Sequence, residues 1–422
     1  MSQHVVAIFG GAVSGAETAN QLLQKGIHCV VFEQNALPYG KIEDGLPKWH
    51  AKLRDKEETN INTVMSNPLV TYVPDTKLGS DISFEEIKNM GFTAIILATG
   101  AWKDRPLPIE GIDEYVDKGL YYQNPFVYWF NHFHEPAFAG KQFEIVDDAI
   151  VIGGGLASLD VCKILMMEQV VRKLKARGIN TNCIELEHGI PKFLEKQGLK
   201  FEDLGIKGCT LFYRRREMDM PLAPVPTETP EQLLKAQNTR QKILNNYMTK
   251  YLFRFSGCMA PADKIIENGK LTGIRFRKTE IIGDQCNEIA GTETDVFAPL
   301  VISSIGSIPE LLPGVPSKGT VFKLADETSC RIQDHENVFA VGNAVTGRGN
   351  INESSKHAEK ISGWLLENFL NAQPELSEEK QLQIFSGIKE LQQRAGYNNN
   401  YMEWMQQHLP KRIEHLEPTG AH

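Results

Sequence analysis

Unbroken runs of apolar residues, each followed closely by glycine, recur along the chain. The first, Val5 to Phe9, leads into the turn Gly10 to Gly15, a stretch with helical spacing from Ala16 to Lys25, and a second run, His28 to Phe32, ending at Glu33. Continuous rather than alternating apolar runs predict strands buried on both faces, and the helical stretch between them predicts a βαβ unit. The pattern returns at Ala149 to Ile152, turns through Gly153, Gly154 and Gly155, and continues as a helix from Leu156 to Met167. Between these units, Ala94 to Leu97 reads as a buried strand running into Thr99 and Gly100, with Pro106, Pro108 and Gly111 as a linker. Leu300 to Ile302 leads into a loop from Ser303 to Pro309, and the chain returns through a strand at Val338 to Val341 and a long helix from Ser354 to Leu370. A strand near 339 and a strand near 7 belong together if both chain ends build one domain. The expected division is therefore 1–103 with 311–370 as one domain and 104–310 as a second, inserted domain. Residues 371–422 form a polar, helical C-terminal extension with Tyr401 and Trp404 as docking side chains.

Length supports this division, since 422 residues exceed one ordinary core and suit two or three domains. At 41% hydrophobic and 23% charged residues the chain is an ordinary globular one, and no apolar stretch approaches the roughly 18 residues of a membrane-spanning helix. Met1 runs into the first strand with no basic leader, so a cytoplasmic location is expected, with no membrane partner. A net charge of −8 argues against nucleic acid as a partner. Seven cysteines without any C-x-x-C pair argue against a disulfide scaffold, a metal site or a redox dithiol, and are expected as buried thiols.

The two glycine turns carry the chemistry. Gly10-Gly11-Ala12-Val13-Ser14-Gly15 is G-x-G-x-x-G with alanine at the second glycine. Its first glycine permits the tight turn, the second position faces a pyrophosphate, and the third lets the helix pack on the strand, so that phosphates sit on the helix N-terminus. Glu33, ending the next strand, stands where a carboxylate accepts hydrogen bonds from a ribose. In Gly153-Gly154-Gly155-Leu156-Ala157-Ser158, serine replaces the third glycine and is expected to space the helix from the strand. The strand Thr210 to Tyr213 then ends in Arg214-Arg215-Arg216 rather than an acid, and guanidinium groups there suit the 2′-phosphate of NADPH. Gly153, Gly155, Leu156, Ala157, Arg214 and Arg215 are the candidate NADPH residues.

Several segments in order resemble adrenodoxin-reductase-type ferredoxin–NADP reductases, with a looser similarity to the glutamate synthase small subunit. They are Ala98 to Ala101 with Asp104-Arg105 and Ile109 to Gly111, Phe126 to Asn131, Leu159 to Val161 with Lys163 to Leu165, Tyr213 to Arg216, and Phe253 to Phe255 followed by Gly273 to Phe276. The resemblance implies an α/β flavoprotein with two Rossmann-like nucleotide-binding domains, an FAD domain made by both chain ends and an inserted NADPH domain. It implies hydride transfer from NADPH to FAD and single electrons passed on to a ferredoxin-like iron–sulfur protein. On its pattern Gly10, Ala12 and Gly15 face the FAD pyrophosphate, Glu33 the adenosine ribose, and Gly40 and Lys41 pass close to the flavin. Thr99 and Gly100 close the domain junction. Gly342 and Asn343, with the turn through Gly349, Asn350 and Ile351, bring helix amides to the flavin pyrimidine edge. Two departures stand out: Asn343 replaces the usual Asp or Trp, and Glu43 to His50 differs from the usual run. His50 is the one candidate proton relay, set against a plain packing role. Arg172, Lys173, Lys175 and Arg177 are a candidate guide for an acidic partner, set against a merely solvated face. Direct action on a small molecule or oxygen, and service as a subunit of a larger complex, remain the alternatives. No motif bears on oligomeric state.

Overall fold

The computed structural model describes residues 3–347, 349–410 and 412, and these form two compact units. Of the described residues, the first holds those within 3–46, 50–103 and from 307 onward, and the second 47–49 and 104–306.

In the first unit the strands lie in the order Leu324–Asp326, Arg331–Ile332, Val338–Ala340, Ala94–Leu97, Val5–Phe9, His28–Phe32 and Val70–Val73. The last five are parallel, and the first two add an antiparallel edge. Alternate residues of the apolar runs serve opposite faces, as strand geometry requires. Val6, Ile8, Cys29, Val31 and Ile96 face a core that includes Leu22, Ala358 and Ile361, while Val5, Ala7, Phe9, Val30 and Ile95 face one that includes Phe84 and Ile87. This two-sided burial is why the runs do not alternate in polarity. Helix Val13–Leu23 packs against helix Ile351–Trp364, so residues from both chain ends meet on one face of the sheet.

The described chain from 371 to 410 is mostly helical, and its helices pack on the first unit. Helix Glu378–Arg394 buries Ile384, Ile388 and Leu391 in the same core as Phe84 and Ile87, and Tyr401 and Trp404 of helix Tyr401–His408 are buried with Tyr72 and Ile61. Trp404 Nε1 donates to the Ala36 carbonyl at 2.8 Å, and Tyr401 donates to Asn62 Oδ1 at 2.6 Å. The sequence there is polar with sparse apolar positions, yet Ile384, Ile388, Leu391, Tyr401, Trp404 and Met405 are buried, while Leu382 and Met402 stay exposed.

The second unit is a parallel sheet in the order Leu120–Tyr122, Val301–Ser304, Ala149–Gly153, Cys209–Phe212 and Arg254–Ser256. Helix Leu156–Lys175 buries Leu159, Ile164, Leu165 and Val170 and runs well beyond the expected end at Met167. Its last turn holds Arg172, Lys173 and Lys175, cations that complement the partial negative charge of a helix C-terminus. An antiparallel sheet of Met259–Glu267, Lys270–Ile282, Gln285–Glu288 and Thr294–Phe297 was not among the expectations. Its signal is the dipeptide Asn268-Gly269, with φ of 52° and 73°, which joins the first two strands as Asn-Gly hairpin turns do.

Candidate nucleotide sites

The first glycine turn is closed by backbone at its two ends, Gly10 and Gly15. Gly10 has φ +97°, and a Cβ there would lie 2.5 Å from the Ala98 carbonyl oxygen. A Cβ on Gly15 would fall 1.8 Å from the Gly10 oxygen, so only glycine lets the helix start this close to the strand. For the same reason the helix begins at Val13, three residues before its expected start. Ala12 is its N-cap and offers no side-chain acceptor, which leaves the first-turn N–H groups to other partners, as pyrophosphate binding requires. Gly40, at φ +49°, approaches so closely that a Cβ on it would be 2.9 Å from the Ala12 methyl. The extra methyl of Ala12 is thus matched by the missing side chain of Gly40.

Glu33 is 4% exposed and accepts hydrogen bonds from the N–H of Gly11 at 2.9 Å and of Asn35 at 3.3 Å. Burial pushes its pKa up to about 7, and those N–H bonds pull it back only in part. The Gln34 N–H bonds to the carboxylate as well, which leaves about one of its roughly four acceptor positions for a further donor. Nearby in sequence to these elements, two buried polar atoms have no partner among the described residues: Thr99 Oγ1 and Asn343 Oδ1. A folded protein rarely leaves such atoms unpaired, so they fit a group that arrives with its own hydrogen-bonding edge. Gly342, at φ +66°, precedes Asn343 and is held to glycine by Ser14, whose Cβ would be 2.5 Å from an added Cβ. Gly349 lies so that a Cβ would be 3.2 Å from Asn343 Nδ2. These features fit an FAD.

Other expected residues have prior engagements. Lys41 Nζ donates to Ser307 Oγ at 3.1 Å and lies 5.7 Å from the Trp102 ring. Gly100 has φ +68° with Trp102 beside it. Asn350 accepts from the Glu353 N–H at 2.8 Å and so caps helix Ile351–Trp364 itself, leaving fewer free amides there than expected. Arg348, within the same turn, lies outside the described residues. His50 is half-buried at the N-cap position of helix Ala51–Met65.

The departure at Glu43 to His50 has a structural cause. Glu43 pairs with Arg54 at 2.5 Å and with Arg412, and Arg412 also meets Glu58 at 2.5 Å. Against the opposing effect of burial, Arg54 and Arg412 hold the Glu43 carboxyl below its ordinary pKa. This buried four-charge cluster anchors the segment that follows Gly40. Arg54 and Glu58 escaped the sequence reading because charged residues read as solvated. Their spacing with the buried Ile61 and Met65 is nevertheless one helical stripe.

The second glycine turn is built differently. A Cβ on Gly153 would meet the Ser304 oxygen at 2.5 Å, and one on Gly154 the Tyr213 ring at 2.1 Å, but nothing lies within 4 Å of one on Gly155. Gly155 caps helix Leu156–Lys175 without a side chain, Ala157 is half-buried, and Leu156 is 45% exposed beside this open space. Ser158 is fully buried and donates to the Gly155 carbonyl at 2.6 Å, so the serine fills the turn and tightens it. Of the three arginines, Arg216 is locked in a fork on Asp219 at 2.9 and 3.0 Å. Arg215 donates to the Asp284 carbonyl at 2.9 Å, whereas Arg214 is exposed. An anion's phosphate oxygens would find Arg214 ready and Arg215 oriented beside it. In the basic group, Arg172 donates to the Ile145 carbonyl at 3.0 Å and Arg177 to the Asp203 carbonyl, leaving Lys173 and Lys175 as its exposed ammonium groups.

Two parallel sheets, each opening through a glycine turn into a helix, define the two-dinucleotide-binding-domain fold of flavin oxidoreductases. Known proteins agree. The family model for pyridine nucleotide-disulphide oxidoreductases matches residues 4–201. The chain is 24% identical over 406 residues to NADPH-ferredoxin reductase FprA of Mycobacterium leprae, covering 87% of this chain and 85% of that protein. It is 26% identical over 254 residues to the mitochondrial NADPH:adrenodoxin oxidoreductase of Arabidopsis thaliana, covering 56% of this chain and 50% of that protein. Mycobacterium tuberculosis FprA, solved in complex with NADPH, superimposes with a TM-score of 0.72 at 20% identity, over 93% of this chain and 91% of the other. Among the described residues no helix is long and apolar enough to cross a membrane.

Proposed function

We propose that the protein is an FAD-dependent NADPH oxidoreductase that passes electrons singly to a ferredoxin-like iron–sulfur protein in the cytoplasm. The observation that carries this reading is the similarity to a ferredoxin reductase running along 87% of the chain. It is supported by the unlike construction of the two turns, one closed around a resident group and one open for exchange.

In this reading the N–H groups after Ala12, with Gly10 and Gly15 setting the turn, hold the FAD pyrophosphate, and Glu33 accepts from the adenosine ribose. Gly40 lets the chain pass beside the cofactor, and Thr99 and Asn343 hydrogen-bond to it. Gly153, Gly155, Leu156 and Ala157 cradle the NADPH phosphates while Arg214, seconded by Arg215, binds the 2′-phosphate through charge-assisted bonds. When bound, flavin supplies the ability to take a hydride and release its two electrons one at a time. Lys173 and Lys175 are the local positive charge available to an acidic partner.

The test is anaerobic stopped-flow mixing of the FAD-loaded protein with NADPH, followed by an oxidised ferredoxin. Bleaching of the flavin by NADPH and its recovery with ferredoxin is the expected result. Bleaching without recovery, but with recovery by a quinone or by oxygen, replaces the iron–sulfur acceptor by a small molecule.

A further inference from the structure

His357 lies on helix Ile351–Trp364, outside the motifs themselves, and its ring reaches the turn that presents Asn343. The Gly342 N–H donates to His357 Nδ1 at 3.0 Å. The other ring nitrogen, Nε2, lies 3.6 Å from Cys330 Sγ, and that thiol is 3.5 Å from the Glu327 carbonyl. An amide can only donate, so Nδ1 must carry a lone pair and the ring proton must sit on Nε2, directed at the sulfur. Every member of the chain then has its role: the Cys330 thiol donates to Glu327, the imidazole donates to the sulfur, and the imidazole accepts from Gly342.

Gly342 needs this hold. Its backbone is at φ +66° and ψ −145°, it is the N-cap of the four-residue helix Asn343–Thr346, and Ser14 presses against it. The peptide that His357 grips is the one immediately before Asn343, whose Oδ1 is buried without a partner among the described residues. Resting on the flavoprotein reading above, we infer that neutral His357 is a positioning residue: by accepting from the Gly342 amide it fixes the turn that aims Asn343 at the FAD.

Protonation would place a second hydrogen on the ring at Nδ1, facing the Gly342 N–H, and the bond would be lost. The neighbourhood resists this. Burial first, and the Lys360 charge second, lower the pKa of His357 below its ordinary value. The other ionisable groups around the pair are Cys330, whose thiol burial holds at about 11, and the nearby Asp326 and Glu327. Neutral imidazole is thus the form present at neutral pH, and acid releases the turn.

Two variants separate positioning from bulk. His357→Asn keeps an acceptor oxygen at the place of Nδ1 but cannot be protonated there, whereas His357→Phe keeps a ring and removes the acceptor. The readout is the dissociation constant of FAD from deflavinated protein, by quenching of flavin fluorescence at pH 8 and pH 5.5, with the melting temperature of the apoprotein as a check on folding. At pH 8 His357→Phe should weaken FAD about tenfold or more, for a lost hydrogen bond of about 1.4 kcal/mol. His357→Asn should stay within about threefold of the unaltered protein. The weakening from pH 8 to pH 5.5 should be smaller in His357→Asn than in the unaltered protein, because residue 357 no longer contributes to it while Glu33 still does. Equal affinities for His357→Phe and the unaltered protein, or equal losses in both variants, overturn the inference alone. Unaltered apoprotein that takes up no FAD overturns the flavoprotein reading and this inference with it.

Discussion

The two glycine turns look alike in sequence and begin alike, Gly10 and Gly153 each facing a main-chain oxygen 2.5 Å from an added Cβ, but they diverge at their later positions. Around Gly10 and Gly15 the nearest neighbours of an added Cβ are main-chain oxygens, at 2.5 and 1.8 Å, which cannot move aside. Around Gly154 the nearest neighbour is the Tyr213 side chain, and around Gly155 there is open space. In the first turn glycine at 10 and 15 is demanded by the fold itself. In the second, glycine at 155 leaves room for something that comes and goes. The proposed reductase would use the first for a flavin that stays and the second for a nicotinamide nucleotide that exchanges.

The sharpest way to break this contrast is to add the missing methyl groups. Gly15→Ala should prevent accumulation of folded, FAD-containing protein, whereas Gly155→Ala should purify with full FAD and an unchanged melting temperature, weakening only NADPH. Comparable damage from both, by FAD absorbance after purification, would show that the turns are equivalent after all. Next in size is Arg214→Ala, which removes a charge-assisted contact worth about 1.5 to 3 kcal/mol and should weaken NADPH about 10- to 100-fold with NADH little changed. Arg216→Ala should matter less, since Asp219 already occupies that guanidinium. Nucleotide titrations of both variants rank them directly.

A third effect belongs to the first site alone. Because burial raises Glu33 to about 7, its contribution to apoprotein stability is present below the unfolded value near 4.5 and fades as pH rises through about 7. Ribose hydroxyls favour the ionised carboxylate, so FAD should bind more tightly as pH rises, by up to about tenfold per pH unit below 7. Glu33→Gln should remove this step, which an FAD titration across pH 5.5 to 8 would reveal. The smallest effect concerns Ser158→Gly. Restoring the third glycine loses the bond to the Gly155 carbonyl and should cost about 1 kcal/mol of stability by denaturant melt, with NADPH affinity unchanged.

Contiguous features of these sites are legible in the sequence itself. A glycine turn between an apolar run and a helix is local, and Glu33 and Arg214 stand at strand ends that the same pattern locates. What stays hidden there is what depends on distant chain. Three consecutive arginines look equivalent until Asp219 and the Asp284 carbonyl claim two of them. His357 has no local signature, because its meaning lies in a peptide fifteen residues earlier. Arg54, Glu58 and Arg412 form a buried cluster only because Glu43 completes it, and charge in sequence ordinarily signals exposure. In the stretch after 371, Tyr401 and Trp404 stand out in sequence as docking side chains, but the partners they dock on, Tyr72 and Ile61, are distant in the chain.

The strand Val338–Ala340 pairs with Ala94–Leu97, and this has a consequence for how the molecule is made. A ribosome delivers the second strand first and must then read through the whole inserted unit before its neighbour emerges. At about 5 to 20 residues per second this delay is on the order of tens of seconds. During it one edge of the nascent sheet is unpaired, an invitation to wrong partners. The inserted unit, most of it continuous from 104 to 306, can meanwhile complete its own core. Birth order therefore favours finishing the inserted unit before the first unit, whose packing residues Tyr401 and Trp404 emerge after all of it.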